Sequence, residues 1–334
     1  MKKQFCTILI LALTLILLFV NMVAQAETQK PEFTFIHSSL NPPTHIEYVV
    51  NMDFINRVEE KSNGRIKFDF FHSGILGSEM EMVEQMQVST ITTARIGLTL
   101  GSLSEAYMVF NLPFLFSDAE HMLKVANSDR FRELTEEKML SEGIRVLDIW
   151  WLGVRDLYTK KPVKKVEDVS GMKLRTWEDK YVVESWKRLG AIPTPLPFGE
   201  VYTALQTGVV DGAEGWAASY NANSFYEPAP YLTKIGYINI FAGLCISEKI
   251  WQKLPMDLQK LIKESAQENS KFALEYFSDN KNDIYETSLK NGATVIEVED
   301  IEKWKKMIEP VYEDFANEFG DEYRDLINWI MSLK

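Results

Sequence analysis

Cysteine is almost missing from this chain. Its 334 residues hold two, Cys6 and Cys245. Cys6 stands in an N-terminal segment that reads as a cleavable secretory signal, so the mature chain would keep Cys245 alone and no intramolecular disulfide could form. Stability must then come from core burial. Cys245 lies in the apolar run from Phe241 to Ile246, which suits a buried small hydrophobe better than a reactive thiol. Histidine is equally sparse: His37, His45, His72 and His121 show neither H-x-H nor H-E-x-x-H spacing, which argues against a histidine metal site. There is no phosphate-binding glycine loop, no dinucleotide fingerprint and no G-x-S-x-G elbow, so nothing calls for a cofactor. Carboxylate pairs such as Glu59/Glu60 and Glu79/Glu81 are what an acidic chain places on helix surfaces by chance. Basic charge is also in deficit, with 36 Lys and Arg against 48 Asp and Glu and a formal charge of -12. A nucleic-acid partner does not fit that balance.

Long hydrophobic runs are absent except at the start. Lys2 and Lys3, the apolar stretch Thr7 to Val20, and Ala24-Gln25-Ala26 have the charge, core and small-residue ending of a signal peptide over residues 1–26. The apolar stretch is short for a membrane span, which needs about 20 residues. Export to the periplasm, with no membrane insertion afterwards, is the expectation. Just over 300 mature residues exceed what one hydrophobic core usually serves, so two lobes are expected.

What is present alternates β and α. Phe33 to His37 reads as a strand, the turn signal Asn41-Pro42-Pro43 leads to a helix from about Thr44, and Arg65 to Phe70 alternates as a second strand. Ser78-x-x-Glu81 has the form of a capping box. Strands at Arg145 to Trp151 and Lys173 to Thr176, with a helix at Tyr181 to Leu189, continue the pattern and predict α/β layers on largely parallel sheets. From Met256 to Lys290 no Pro or Gly interrupts a helical pattern; at 1.5 Å per residue it would be about 50 Å long, crossing both lobes or kinking between them.

Two arginines stand in apolar, strand-like settings: Arg155, which ends Trp150-Trp151-Leu152-Gly153-Val154-Arg155, and Arg175 within Met172-Lys173-Leu174-Arg175-Thr176-Trp177. A half-buried guanidinium needs an anion, and its planar fork matches a carboxylate through two charge-assisted hydrogen bonds. The anion could be a ligand or an internal partner such as Asp156 or Glu178.

At these residues the chain resembles the substrate-binding subunits of tripartite ATP-independent periplasmic (TRAP) transporters, the DctP-like family. The resemblance runs through Ser62-Asn63-Gly64-Arg65-Ile66, Gly74-Ile75-Leu76-Gly77-Ser78-Glu79, Leu112-Pro113-Phe114-Leu115-Phe116, Gly171-Met172-Lys173-Leu174-Arg175 and the run from Pro197 to Gly212. It implies a two-lobe α/β periplasmic-binding fold with crossing hinge strands and a long helix spanning both lobes. Residues 27–152 plus 241–280 would form lobe I, and residues 153–240 plus 281–334 lobe II. It also implies capture of a small organic acid by lobe closure and delivery to small and large membrane subunits. An exported enzyme acting on a small acid, and a ligand-presenting partner of a membrane sensor, are the alternatives. By the same resemblance Arg175 clamps the ligand carboxylate, Arg155 assists, and Glu79 accepts from ligand hydroxyls, although a helix start favours a carboxylate there in any case. Tyr237 is assigned to the cleft, and so is His37 at the end of the first strand, with a satisfied core or edge position as its alternative. Two departures stand out: Gly215 and Gly97 occupy positions where the family often carries Asn. With Trp216 and Trp177 nearby in sequence, these glycines lead to the expectation of a roomier, more aromatic cavity, and the cargo is expected to be either a sugar acid or an acid with an apolar or aromatic body.

Overall fold

The computed structural model describes residues 30–334, so the expected signal peptide and Cys6 lie outside the described residues. Nine strands form one ladder: β1 Phe33–Ser38, β2 Ile66–Phe71, β3 Thr93–Ile96, β4 Ile144–Thr159, β5 Lys173–Thr176, β6 Ile192–Pro195, β7 Gly212–Trp216, β8 Tyr231–Ser247 and β9 Thr294–Glu297. Their order is β2-β1-β3-β8-β4-β7-β5-β6, with β9 on β8.

The two long strands explain the shape. At about 3.3 Å per residue, β4 and β8 each reach roughly 50 Å, more than one lobe needs. They pair antiparallel along nearly their whole length. Near its C-terminal end β8 meets β3 through Thr93↔Ile246 and Ile96↔Gly243, while near its N-terminal end it meets β9 through Tyr231↔Thr294. The C-terminal end of β4 meets β7 through Arg155↔Trp216. Two half-sheets therefore share one pair of crossing strands. Register shifts at Val146/Asp148, Trp151/Gly153 and Arg155/Leu157 mark irregularities along the crossing, and such bulges bend and twist a ladder. The largely parallel expectation needs correction here. Parallel pairs occur at β1/β2, β1/β3, β5/β6, β5/β7 and β8/β9, but the junctions β3/β8, β4/β8 and β4/β7 are antiparallel.

Helix Glu47–Lys61 buries Val50, Phe54 and Val58, the stripe its spacing predicts. Helix Glu79–Gln87 starts with the expected capping box: Glu81 N–H donates to Ser78 Oγ, and Ser78 N–H donates to Glu81 Oε2 at 2.7 Å. The long helical stretch is split at Asn280 into Met256–Asp279 and Lys281–Lys290. The Asn280 side chain donates to Tyr276 O, the kind of local bond with which Asn competes against a regular helix. The first piece packs on β4 and helix Glu47–Lys61, the second on helix Ala217–Ala222 and β9, so the stretch does serve both half-sheets. At the C-terminus Trp304 packs edge-on against Trp186, while Ile330 O accepts from His121 Nε2 at 2.9 Å. No helix among the described residues is long and apolar enough to cross a membrane.

Candidate functional site

Three neighbouring strands bring the candidate residues together. β7 lies between β4 and β5, so Glu214 is flanked by Arg155 from one side and Arg175 from the other. Arg155 grips Glu214 through both oxygens, Nε to Oε2 at 2.5 Å and Nη2 to Oε1 at 2.9 Å. Its guanidinium also lies 4.2 Å from the centre of the Trp177 ring. Burial opposes the Arg155 charge, but the pull of Glu214 more than offsets it and holds the group above the ordinary arginine range. The internal partner is thus Glu214 rather than Asp156 or Glu178. Asp156 is itself fully buried and accepts from the Tyr285 hydroxyl and from Gly236 N–H.

Arg175 is held differently. It is 3% exposed, and its Nε and Nη2 both donate to Leu196 O, at 2.9 and 2.7 Å. Its Nη1 stands 4.0 Å from Glu214 Oε1. That is an electrostatic neighbour, too far for a hydrogen bond. Burial pulls the Arg175 guanidinium down from its ordinary range, and Glu214 only partly compensates. Two buried cations thus share one buried carboxylate, and the excess positive charge selects an anion. The Tyr237 hydroxyl donates to Glu214 Oε2, which places Tyr237 within the cluster as a support for Glu214.

The other half-sheet contributes a second cluster. Glu79, at the start of its helix and 9% exposed, accepts from Arg95 Nη1 at 2.5 Å. Glu47 Oε1 lies 3.0 Å from Arg95 Nε, and Asn41 Nδ2 donates to Glu47 Oε2. Burial pushes the Glu47 carboxyl up, against the pull of Arg95. His45 joins the two clusters. Its ring packs 5.0 Å from that of Trp216, and its Nε2 shares a 3.2 Å hydrogen bond with Ser219 Oγ.

His37 needs correction. It sits in the core with no exposure, Nδ1 bonded to Thr93 Oγ1 at 2.9 Å and Nε2 to Asn51 Oδ1 at 2.8 Å, leaving neither nitrogen for a ligand. A strand end points into a cleft or into the core depending on the helix packed over it, and here Phe54 of helix Glu47–Lys61 covers the ring. Burial lowers the His37 pKa to about 4. Its folded-state value is depressed, so its contribution is present above the unfolded value near 6.5 and is lost as pH falls toward 4. Replacing His37 by Gln is expected to destabilise the protein at pH 7 and to narrow its deficit against the parent by roughly 1–2 kcal/mol at pH 5, measured by urea unfolding at both pH values.

The roomy, aromatic cavity is also corrected. A Cβ on Gly97 would lie 2.9 Å from Arg95 Nη1 and 3.0 Å from Glu79 Oε1, and one on Gly215 would lie 3.0 Å from the Tyr158 hydroxyl. Polar groups fill the space those glycines vacate. Trp216 is occupied by His45, Phe277 and the backbone of Gly153, where a Cβ would meet its Nε1 at 2.6 Å, and Trp177 carries Arg155.

Arg95 and Glu214 escaped the sequence reading. Arg95 stands in Thr93-Ala94-Arg95-Ile96, the same apolar, strand-like setting that singled out Arg155 and Arg175, so the same signal could have found it. A concavity of about 710 Å³ lies apart from the three arginines, with Glu178, Lys180, Glu184, Lys187, Asp314 and Glu318 among its walls. Its charges are of mixed sign and mostly paired, Lys180 with Glu318 and both Glu184 and Asp314 with Arg188, which makes it a weaker candidate than the buried, undercompensated cations.

A two-lobe α/β frame with undercompensated arginines where its strands cross defines a solute-binding protein for an anion. The profile of the bacterial extracellular solute-binding proteins, family 7 (DctP), matches residues 37–318. The sialic acid-binding periplasmic protein SiaP of Vibrio cholerae is 30% identical over 280 residues, 82% of this chain and 86% of that protein. A TRAP periplasmic solute-binding protein from Polaromonas, solved with D-erythronate, superposes with a TM-score of 0.84 at 30% identity over 90% of this chain and 99% of that one. One from Sulfitobacter, solved with β-D-galacturonate, also gives 0.84, at 27% identity with the same coverage. The chain belongs to the DctP family: it is a solute-binding protein of the TRAP type and not an enzyme.

Proposed function

We propose that this protein captures a sugar acid in the periplasm, holds its carboxylate on Arg175, and delivers it to the small and large membrane subunits of a TRAP transporter. The observation that carries this reading is Arg175: a buried guanidinium oriented by two bonds to Leu196 O, with Nη1 making no hydrogen bond among the described residues. Arg155 is committed to Glu214 and assists through its charge. The solved relatives hold galacturonate and erythronate, and the polar groups beside Gly97 and Gly215 suit such hydroxylated bodies better than an apolar one.

In this reading residues 1–26 are removed on export. Lobe I comprises residues 27–152 plus 241–280 and lobe II residues 153–240 plus 281–334, with β4, β8 and the break at Asn280 between them. The bond from Asn111 Nδ2 to Asp179 Oδ2, at 2.8 Å, joins the two lobes in this reading and would hold the closed form. A ligand favours the closed form only through contacts it gains there, so it must touch both lobes.

The test is a thermal-shift panel on refolded, ligand-free protein with uronates, aldonates, C4 dicarboxylates and aromatic acids. At a hundredfold excess over Kd a true ligand adds about 2.7 kcal/mol, which raises Tm. Stabilisation by uronates or aldonates is expected. A response confined to aromatic acids, or to none, would defeat the cargo assignment.

A further inference from the structure

The ladder between β4 and β8 is interrupted where it passes the anion site. Its register jumps from Arg155↔Ile238 to Leu157↔Thr233, so Lys234, Ile235, Gly236 and Tyr237 of β8 have only Asp156 opposite them. Such an interruption leaves backbone groups unpaired and re-aims the side chains it carries. The Asp156 carboxylate takes the place of the missing ladder bonds. It has no exposure, and it accepts from Gly236 N–H through Oδ1 at 3.0 Å and from the Tyr285 hydroxyl through Oδ2 at 2.6 Å. Gly236 has a φ of 54°, a left-handed turn that glycine adopts freely and that this bond pins. The next residue is fixed as well, because Tyr237 O accepts from Phe114 N–H at 2.6 Å.

Tyr285 is itself held in place. Its helix, Lys281–Lys290, is tied to helix Ala217–Ala222 by Asn221 Nδ2 to Ile284 O and by Ser288 Oγ to Asn221 Oδ1, both at 2.8 Å. Lys234 Nζ lies 4.8 Å from the centre of the Tyr285 ring and pairs with Glu297 of β9. Burial raises the Asp156 carboxyl to about 6, and the bonds from Tyr285 and the backbone oppose that rise. A carboxylate buried this deeply is tolerated because both its oxygens are bonded.

The neighbours of these residues in the chain reach the anion site. Tyr237, which follows Gly236, donates its hydroxyl to Glu214 Oε2, and Arg155, which precedes Asp156, grips both Glu214 oxygens. Between them they hold the carboxylate so that Oε1 stays 4.0 Å from Arg175 Nη1. Once the Tyr237 hydroxyl is lost, Glu214 is free to turn onto Arg175 and form the charge-assisted bond that the ligand carboxylate would otherwise make.

We propose that Asp156 is a positioning residue for the anion site: by pinning Gly236 and Tyr285 it keeps the Tyr237 hydroxyl on Glu214, and so keeps Glu214 off Arg175. The inference rests on the reading of Arg175 as the carboxylate clamp. Asp156 acts through Tyr237 and Glu214 and not by touching the ligand. An amide can fill the same place, because Asn accepts from Gly236 N–H through its oxygen and donates to the Tyr285 oxygen through its nitrogen, a hydroxyl being both donor and acceptor.

The experiment is calorimetric titration of D-galacturonate and D-galactonate into ligand-free parent, Asp156→Ala, Asp156→Asn, Tyr237→Phe and the double variant of Asp156→Ala with Tyr237→Phe, each checked for folding by circular dichroism. Asp156→Ala and Tyr237→Phe should each weaken the acid that the parent binds by about tenfold. The double variant should be no more than about threefold weaker than Tyr237→Phe, because both changes break the same path. Asp156→Asn should stay within about threefold of the parent. If Asp156→Ala does not fold, Tyr285→Phe replaces it in the cycle, with the same lack of additivity expected. A purely structural Asp156 predicts lost stability with parental affinity, or losses that multiply in the double variant. Either result overturns the proposal, as does an Asp156→Asn variant as weak as Asp156→Ala, and all three leave the sugar-acid reading intact. No binding of either acid by the parent overturns that reading and removes the inference built on it.

Discussion

Arg175→Ala is expected to weaken binding of the cognate acid by at least about one hundredfold, because it removes a buried guanidinium whose Nη1 makes no hydrogen bond among the described residues and whose carboxylate neighbour stands 4.0 Å away. The loss has two sources. The carboxylate forfeits its charge-assisted hydrogen bonds, and it must still leave water for a closed site in which Glu214 is now undercompensated. Arg175→Lys should recover only part of the affinity, since an ammonium is a point charge and cannot reproduce the two bonds to Leu196 O while presenting a third nitrogen to the ligand. Calorimetry on both variants checks this, with circular dichroism to confirm folding. An alanine variant that binds within threefold of the parent, about 0.7 kcal/mol, would remove Arg175 from the site.

Glu214→Ala should produce the largest stability loss of any single change near the site, about 3–5 kcal/mol. Glu214 has no exposure, receives both arms of Arg155 and the Tyr237 hydroxyl, and faces Arg175. Without it two guanidinium groups lie buried with no counter-ion. Breaking such an arrangement from one side is far more damaging than replacing all of it, because the remaining charges stay desolvated. Glu214→Gln keeps an acceptor and should lose less. Urea unfolding of ligand-free protein measures both. If added ligand restores much of the deficit in Glu214→Ala, its carboxylate is standing in for the missing one, which would confirm that the ligand anion and Glu214 address the same two arginines. Alanine with parental stability would mean that water reaches Arg155 and Arg175 and that the cluster is not dry.

The residues that could be read directly owe it to local physics. The capping box at Ser78 and Glu81 closes within one helical turn, so four residues suffice to specify it. The apolar stripe Val50, Phe54, Val58 identified its helix because side chains four apart share a face. Arg155 and Arg175 were visible because a charge inside an apolar strand is unfavourable unless something compensates it. The same argument applied to Arg95, whose strand is only four residues long.

His37 shows the opposite case. Its strand was legible, but the direction of its ring depended on Asn51, Phe54 and Thr93, which reach it only after helix and sheet have packed. Gly97 and Gly215 failed for a similar reason. An absent side chain marks a space, and whether that space is empty depends on what arrives from elsewhere: Arg95 and Glu79 in one case, Tyr158 in the other.

By itself the sequence determined the elements, the two-lobe α/β class, the family and the need for an anion near Arg155 and Arg175, since periodicity, motif spacing and an uncompensated charge are properties of short segments. Only the tertiary structure decided which internal partner each of the two arginines takes. Glu214 lies 59 residues beyond Arg155, and nothing local could say that it would take both arms of that side chain while leaving Arg175 Nη1 at 4.0 Å. The antiparallel crossing of β4 and β8 and the pairing of Arg95 with Glu79 were decided in the same way, by contacts between segments that only the folded chain brings together.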